Sequence, residues 1–144
     1  MKTVRQILAR KGGGSWSTSP HTTVYDALKL MADKNVGALV VVEGERMVGI
    51  FSERDYARKV ILKGKSSREM AVSEIMTANV ITVAPDQSIE DCMTLMSENH
   101  IRHLPVLQHE KLVGLVSIGD VVQTIIADQK STINQLEDYI TGRR

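Results

Sequence analysis

Two short motifs in this chain each place a hydroxyl and a carboxylate three positions apart. They are Ser52-Glu53-Arg54-Asp55 and Ser117-Ile118-Gly119-Asp120. Each motif follows an apolar, β-branched run that is typical of a buried strand, and each precedes a helical pattern. An ionised Asp accepts hydrogen bonds through both oxygens, which suits the paired 2′ and 3′ hydroxyls of a ribose. The motifs therefore predict a binding site at a strand-to-helix corner.

The same motif also has a structural explanation. A Ser at the start of a helix caps it, and an Asp in the first turn complements the positive end of the helix. A single instance would be explained by capping alone. Two instances in register, each at the end of a buried hairpin, favour ligand binding.

The two motifs belong to an internal repeat. A single shift of 65 positions aligns about forty residues without a gap, superposing Pro20 on Pro85 and Asp55 on Asp120. Each copy is predicted to fold as strand, helix, strand, strand, helix. The sequence thus predicts a mixed α and β (α+β) fold, with two β-α-β-β-α repeats related by a pseudo-two-fold and a C-terminal helical tail.

The repeat divides the chain into four segments. We assign residues 1–62 to the first repeat with its lead-in helix, 63–71 to a linker, 72–127 to the second repeat and 128–144 to the tail. The linker assignment depends on a polar composition interrupted by glycine.

Local signals predict the elements around each repeat. Helical spacing of apolar residues predicts a short lead-in helix before each copy, and a proline after residues 15–18 and 80–83 predicts a short strand there. Thr22 or Thr23 in the first copy, and Ser88 in the second, can cap the following helix. The first lead-in ends in a glycine run that is either a flexible loop or a set of backbone N–H groups for a ligand phosphate.

The tail carries apolar residues at alternating steps of four and three. This spacing is typical of a coiled-coil seam, which we call the tail seam; its members are Val122, Ile126, Gln129, Ile133, Leu136 and Ile140. The seam either folds back on its own chain or, as we favour, contributes to a homodimer. Thr132 and Gln135 could form a capping box, which would break the helix near Lys130.

A ribose site also needs a slot for a base and positive charge for phosphate. Trp16 and Ile81, with Thr18 and Thr82 beside them, are candidates for the slot. The positive charge is asymmetric: the first repeat carries Arg54 and Arg58 after its corner, and the second carries Arg102 and His103 on its strand. Solvated arginines and a structural histidine remain the alternatives. Across a two-fold, these four groups would converge on phosphates.

Composition excludes several classes of function. A net charge of +1 and an aromatic content of 3% argue against nucleic-acid binding. The single cysteine, Cys92, excludes an internal disulfide and any multi-cysteine metal site; it lies on an apolar helical stripe and is predicted to be buried. With no signal sequence and no membrane span, we expect a cytoplasmic protein that does not enter a membrane. Nucleotide-loop, metalloprotease and nucleophile-elbow motifs are missing, so neither an enzyme nor a metal site is predicted.

Taken together, the motifs resemble a tandem pair of cystathionine β-synthase (CBS) domains, also called a Bateman module, from about Val4 to Ile126. The marks of the family are the segments 72–77 and 100–106 and the two Gly-x-x-Ser-x-x-Asp endings. The resemblance implies sheets packed around two clefts that bind AMP, ADP, ATP, NAD or S-adenosylmethionine, with AMP expected first. It also implies a disc-shaped dimer that signals through a partner protein or through its own assembly. The alternative function is a protein-protein interaction or scaffold module with vestigial ligand clefts.

The resemblance also assigns roles to residues. Asp55 and Asp120 match the ribose ligands of the family, and Ser52 and Ser117 match the hydroxyls beside ribose or phosphate. The other matched positions are Thr18, Thr82, Arg102, His103 and Pro105. In the first repeat Val40 replaces the family's proline and Ala38 replaces a basic residue. These departures favour Asp120 over Asp55 as the ribose ligand.

Overall fold

We describe a computed structural model of the protein, which covers residues 2–12 and 15–141. Five α-helices, five strands and two short helical segments of other types follow one another along these residues. The order is α1 Val4–Lys11, β1 Ser17–Thr18, α2 Val24–Lys34, β2 Ala38–Glu43, β3 Arg46–Ser52, α3 Glu53–Tyr56, a π-helix Ala57–Ile61, a 3₁₀ turn Val72–Glu74, α4 Ile89–Asn99, β4 His103–Gln108, β5 Lys111–Ser117 and α5 Ile118–Thr141.

The two hairpins have equivalent registers. Ala38 pairs with Ser52 in the first and His103 pairs with Ser117 in the second, with one bulge at the same place in each. The first hairpin is joined by β1 to make a three-stranded sheet, and the second stands as two strands. The mixed α and β fold with a C-terminal helix is confirmed.

The predicted strand at 80–83 is reduced to one bridge, between Val83 and Val106. In the first repeat the Val40 N–H donates to the Trp16 carbonyl at 3.2 Å, which helps to hold β1 in its sheet. Pro105 occupies the position equivalent to Val40 and has no N–H to donate to Ile81. The difference between Val40 and Pro105, which is visible in the sequence, thus explains why residues 80–83 do not form the predicted strand.

The lead-in segments also differ from the prediction. The first forms helix α1, whereas the second is a single 3₁₀ turn rather than a helix. The Glu74 carboxylate closes this turn by accepting from the Ala71 N–H at 2.7 Å. Three residues later Thr77 exchanges backbone hydrogen bonds with Ile50, at 2.9 and 3.0 Å. The segment is therefore extended again before a second helical turn can form.

The two lead-ins are exchanged between the repeats. The lead-in before the first repeat packs into the core of the second, and the lead-in before the second repeat packs into the core of the first. Val4 and Ile7 of α1 are buried with Leu104, Val106 and Val116 of the second repeat. In the first repeat, the core around Phe51 takes Met70, Val72 and Ile75 from the segment after it. We assign the segments 1–62 and 63–71 by their order along the chain. The packing crosses both boundaries, because the core of the first repeat includes Met70 of the linker and Val72 of the next segment. An apolar stripe indicates that a face is buried without indicating what buries it.

The glycine of each Gly-x-x-Ser-x-x-Asp ending lies where a lead-in crosses its hairpin. A Cβ on Gly49 would lie 2.7 Å from Met76 Sδ and 2.9 Å from the Thr77 carbonyl oxygen. A Cβ on Gly114 would lie 2.6 Å from Leu8 Cδ2. Both contacts are closer than van der Waals packing allows. At Gly49 they include backbone, whereas at Gly114 they involve only the side chain of Leu8.

We expect Gly49→Ala to destabilise the protein by about 1–3 kcal/mol because overpacking there displaces backbone as well as a side chain. Gly114→Ala is the matched control: its nearest neighbour is the tip of one leucine, which can change rotamer, so its cost is smaller. Urea denaturation of both variants measures the difference. Equal losses of stability would contradict the expected order.

Two of the predicted helix caps are present, and α5 is continuous where a break was considered. Thr23 caps α2 and Ser88 caps α4, accepting hydrogen bonds from the N–H groups of Asp26 and Asp91 at 3.2 and 3.0 Å. The break predicted near Lys130 is wrong, because α5 runs through it. Thr132 does not cap a new helix; its hydroxyl donates to the Asp128 carbonyl at 3.1 Å, one turn back.

Cys92 is buried, as predicted. Burial, aided by the nearby Asp91 charge and opposed by a backbone hydrogen bond, raises the pKa of its thiol to about 11. The thiol is therefore protonated and unreactive at neutral pH.

Candidate functional site

The first corner, at the start of α3, holds Asp55 by its own turn. Its Oδ2 accepts hydrogen bonds from the Ser52 N–H at 3.0 Å and the Ser52 hydroxyl at 3.1 Å, and Ser52 Oγ accepts from the Asp55 N–H. Lys59, one turn further along, lies 3.3 Å from Oδ1. The carboxylate is thereby fixed in one orientation at the end of the hairpin.

The second corner repeats the turn and adds a group from the other end of the chain. Asp120 Oδ2 accepts from the Ser117 N–H at 2.9 Å and from Lys11 Nζ at 2.7 Å. Burial alone would raise the pKa of Asp120, but the bonds from Lys11 and Ser117 outweigh it and hold the pKa below its usual value. Asp120 is therefore an ionised group that is already paired with a cation.

A cleft of about 680 Å³ opens between the two repeats at the first corner. We call it the larger cleft. Its walls combine the corner of the first repeat with the strand and helix ends of the second. The lining residues are Gly37, Ile50, Ser52, Glu53, Arg54, Asp55, Arg58, Thr77, Asn79, Val80, Ile81, Asn99, His100, Ile101, Arg102 and His103.

The larger cleft is basic and has an apolar wall. Arg54 spans it, donating to the His100 carbonyl of the other repeat at 2.7 Å. Arg58 and Arg102 have exposed side chains on opposite sides. The half-buried Val80, Ile81 and Ile101 supply the apolar surface. Three guanidinium groups and an aliphatic wall form a cleft suited to an anion attached to a flat apolar group.

His103 lines the larger cleft beside Gly37. A Cβ built on Gly37 would be 3.6 Å from both the His103 ring and the Glu53 carboxylate, so the two side chains flank this glycine. Burial lowers the pKa of His103; Lys11 and Arg102 act in the same direction, and Asp120 opposes them. The imidazole is therefore mainly neutral at pH 7.

A second cleft, of about 360 Å³, lies at the pseudo-symmetric position. We call it the smaller cleft. It is lined by Lys11, Gly12, Ser15, Trp16, Val36, Ala38 and Leu115. Lys34 stands over the Trp16 ring, 4.4 Å from its centroid. Of the glycine run considered as a phosphate loop, Gly12 lines this cleft, and Gly13 and Gly14 lie outside the described residues.

The structure distributes the predicted site residues unequally between the two clefts. The larger cleft brings together Ser52, Arg54, Asp55, Arg58, Ile81, Arg102 and His103. Ala38 lines the smaller cleft with Trp16. Thr18, Thr82, Pro105, Ser117 and Asp120 line neither of these two clefts, and Thr18 is buried. The sequence ranks Asp120 before Asp55 as the ribose ligand, and this ranking stays a prediction; by position, Asp55 is the carboxylate that lines one of these two clefts.

Sequence reasoning missed several residues of the larger cleft. Asn99 and His100 end helix α4, where His100 adopts a left-handed conformation with φ of 54°. Asn79 lies two positions before the slot candidate Ile81, and Glu53 lies inside the corner motif. Polar residues at the end of a predicted helix, two and three positions before Arg102, were the available signal.

Within residues 2–12 and 15–141, no helix has the length and hydropathy needed to cross a bilayer. These residues also contain no cluster of three or more His, Cys, Asp or Glu side chains suited to a metal ion.

Comparison with known proteins identifies relatives of this chain. The family profile described as CBS domain matches residues 16–62 and again 72–127. The chain is 42% identical to the CBS domain-containing protein CBSX3, mitochondrial, of Arabidopsis thaliana, over 97% of this chain and 72% of that protein.

Solved structures of CBS-domain proteins also superpose on this chain. A protein with CBS domains from Burkholderia ambifaria MC40-6 superposes with a TM-score of 0.86 at 53% identity, covering 89% of this chain and 96% of that one. CBSX2, whose structure was determined in complex with AMP, superposes with a TM-score of 0.74 at 26% identity, covering 88% and 98%.

Proposed function

Because this chain belongs to the CBS-domain family and carries two CBS domains in tandem, we propose that it is a regulatory module whose larger cleft binds an adenosine nucleotide. The observation that carries this proposal is the meeting of Asp55 and Arg58 of one repeat with Arg102 and His103 of the other in one cleft of about 680 Å³. The complex of the related CBSX2 with AMP supports the choice of an adenosine ligand.

Each wall of the larger cleft has a role in this proposal. Asp55, fixed by Ser52, accepts hydrogen bonds from the ribose hydroxyls. The base packs against the aliphatic wall around Ile81 and Ile101. The phosphate lies among Arg54, Arg58 and Arg102, which are positioned to contact it from both repeats.

Signalling follows from the fact that the phosphate ligands belong to different repeats. Without ligand, the like charges of Arg58 and Arg102 repel one another across the cleft, and Arg54 holds the repeats by its bond to the His100 carbonyl. A phosphate neutralises these charges and favours one relative angle of the repeats. A ligand shifts such an equilibrium only by its difference in affinity between the two states. A regulated partner protein senses this angle.

Calorimetry with AMP, ADP, ATP and NAD tests this function, with GMP as the control for the base. We expect micromolar binding of AMP or a close relative and much weaker binding of GMP. Arg58→Ala should weaken binding, whereas Gln123→Ala, the equivalent position after the second corner, should not. Failure of all four adenosine ligands to bind below millimolar concentration would overturn the proposal.

We further propose that α5 assembles two copies of the chain through the tail seam. The seam's apolar members outside the core are exposed by 46% to 80%. Over two chains they offer on the order of 1,000 Å², the lower end of specific interfaces. Ile126, Ile133 and Ile140 alternate with Val122, Gln129 and Leu136. Ile alternating with Leu is typical of two-stranded coiled coils, and in a parallel pair Gln129 would meet Gln129. The partner that fits the tail seam is therefore the same helix of a second copy of the chain.

Leu136→Lys is expected to convert the dimer to a monomer, because a charge would be buried in the seam of each copy. Asn134→Lys adds the same charge to the opposite face of the helix and should leave the dimer intact. Sedimentation of both variants at micromolar concentration measures the change. A wild-type monomer, or a dimer unaffected by Leu136→Lys, would contradict this assembly.

The buried, unpaired thiol of Cys92 supports a reducing compartment, and we retain a cytoplasmic location as part of the proposal. We assign the protein a regulatory role with no catalytic step, because the Ser52 hydroxyl and the Asp55 carboxylate in the larger cleft are both held in the turn that caps α3.

A further inference from the structure

The two clefts differ at the position that the lead-in segment contributes to each of them. Leu8 and Met76 pack against Gly114 and Gly49 in the same manner, which aligns the two lead-ins with an offset of 68 positions. Under this alignment Lys11 is equivalent to Asn79. Asn79 lines the larger cleft and Lys11 lines the smaller one. A neutral amide in one cleft thus corresponds to an ammonium ion in the other.

The Lys11 ammonium is bound to the second corner at two points. It donates to Asp120 Oδ2 at 2.7 Å and to the Leu115 carbonyl at 2.9 Å. The neighbouring Arg10 donates to the Asp120 carbonyl at 3.3 Å. Helix α1 is anchored below them by the buried Val4 and Ile7. The cation is therefore held on the carboxylate by a packed helix and not only by its own flexible side chain.

The first corner also has a lysine, but in a different place. Lys59 lies on the same helical segment as Asp55, approaches Oδ1 at 3.3 Å and donates to the Ile75 carbonyl. It does not line the larger cleft. Lys59 thus reaches Asp55 from its own helical segment, outside the lining of the larger cleft. Lys11 instead reaches Asp120 from the wall of the smaller cleft.

We propose that Lys11 closes the smaller cleft to nucleotide, so that each chain binds one nucleotide, at Asp55, although it has two corner motifs. This inference rests on the proposed function. A ribose at Asp120 would have to displace a charge-assisted hydrogen bond and leave an ammonium ion without its partner in a cleft of about half the volume. Lys11 is in this sense the residue that determines the specificity of the smaller cleft.

The test is calorimetric stoichiometry with AMP on Lys11→Asn, which installs the residue of the larger cleft at the equivalent position. We expect one site per wild-type chain and two per Lys11→Asn chain, the second being lost in the double variant Lys11→Asn, Asp120→Asn. Lys59→Asn is the matched control and should retain one site. Asp120→Asn alone should leave wild-type AMP affinity unchanged, a measurement that does not depend on the folding of any Lys11 variant.

Each outcome decides between the two proposals. Two sites in the wild type, a folded Lys11→Asn that still has one, or loss of wild-type affinity in Asp120→Asn would overturn the closure by Lys11. A wild type that binds no AMP beside a Lys11→Asn variant that gains one Asp120-dependent site would overturn the function of the larger cleft and support the closure. Absence of binding in both would overturn both proposals.

Discussion

Replacing Asp55 by Asn is expected to weaken adenosine nucleotide binding by about 10- to 100-fold. Hydrogen bonds to a charged group contribute about 1.5–3 kcal/mol, and each 1.4 kcal/mol changes affinity about tenfold. Asn is chosen because its side-chain oxygen can still accept from the Ser52 N–H, which preserves the start of α3. The variant therefore removes the charge that faces the ribose and retains the turn.

Asp120→Asn makes the same chemical change at the other corner. Because Asp120 is paired with Lys11 and lies outside the lining of the larger cleft, we expect its effect on nucleotide affinity to be within about twofold, a difference below 0.5 kcal/mol. Calorimetry of both variants under one set of conditions measures the contrast. Equal losses would mean that both corners bind ligand, and no loss in Asp55→Asn would remove the ribose contact from the proposal.

The second large effect concerns the lead-in helix. Ile7→Ala is expected to destabilise the protein by about 2–5 kcal/mol, the range for truncating a fully buried aliphatic side chain. Ile7 is only 1% exposed, and its neighbours in the core are residues of the second repeat. The loss should therefore appear in β4 and β5, about one hundred positions away along the chain.

Ile75→Ala is the matched variant because Ile75 is 2% exposed in the core of the first repeat. Hydrogen exchange resolves where each substitution acts: Ile7→Ala should lower protection in the β4–β5 hairpin and Ile75→Ala in the β2–β3 hairpin. Protection lost first in β2–β3 on substitution of Ile7 would show that α1 does not complete the second core in solution.

These expectations indicate which parts of the fold could be predicted from the sequence. Alternating apolar residues and turn signals predict both hairpins, and the caps at Thr23 and Ser88 follow from side-chain chemistry close to each helix start. The shortened strand before Pro85 could also have been anticipated, since Pro105 lacks the donor that Val40 supplies. All of these features depend on residues within one repeat.

The partner of α1 could not be predicted in this way. Spacing at Val4, Ile7 and Leu8 shows that one face is apolar, and the same face would fit either repeat. The pair of Lys11 and Asp120 joins residues 109 positions apart, and no local pattern distinguishes that lysine from a solvated one. The sequence therefore identifies the corner chemistry, while the division of the corners between two unequal clefts depends on how the lead-ins cross.

The crossing of the lead-ins also implies an order of folding. Residues 17–76 contain the first repeat and the segment that completes its core, so this half can close as soon as it has been synthesised. The second repeat needs α1, which precedes the first repeat, and their contacts span about one hundred residues, which slows their formation. We expect pulse-labelled hydrogen exchange during refolding to protect β2 and β3 before β4 and β5. Until α1 docks, Lys11 is absent from Asp120, and the newly made chain carries two open corners where the mature protein has one.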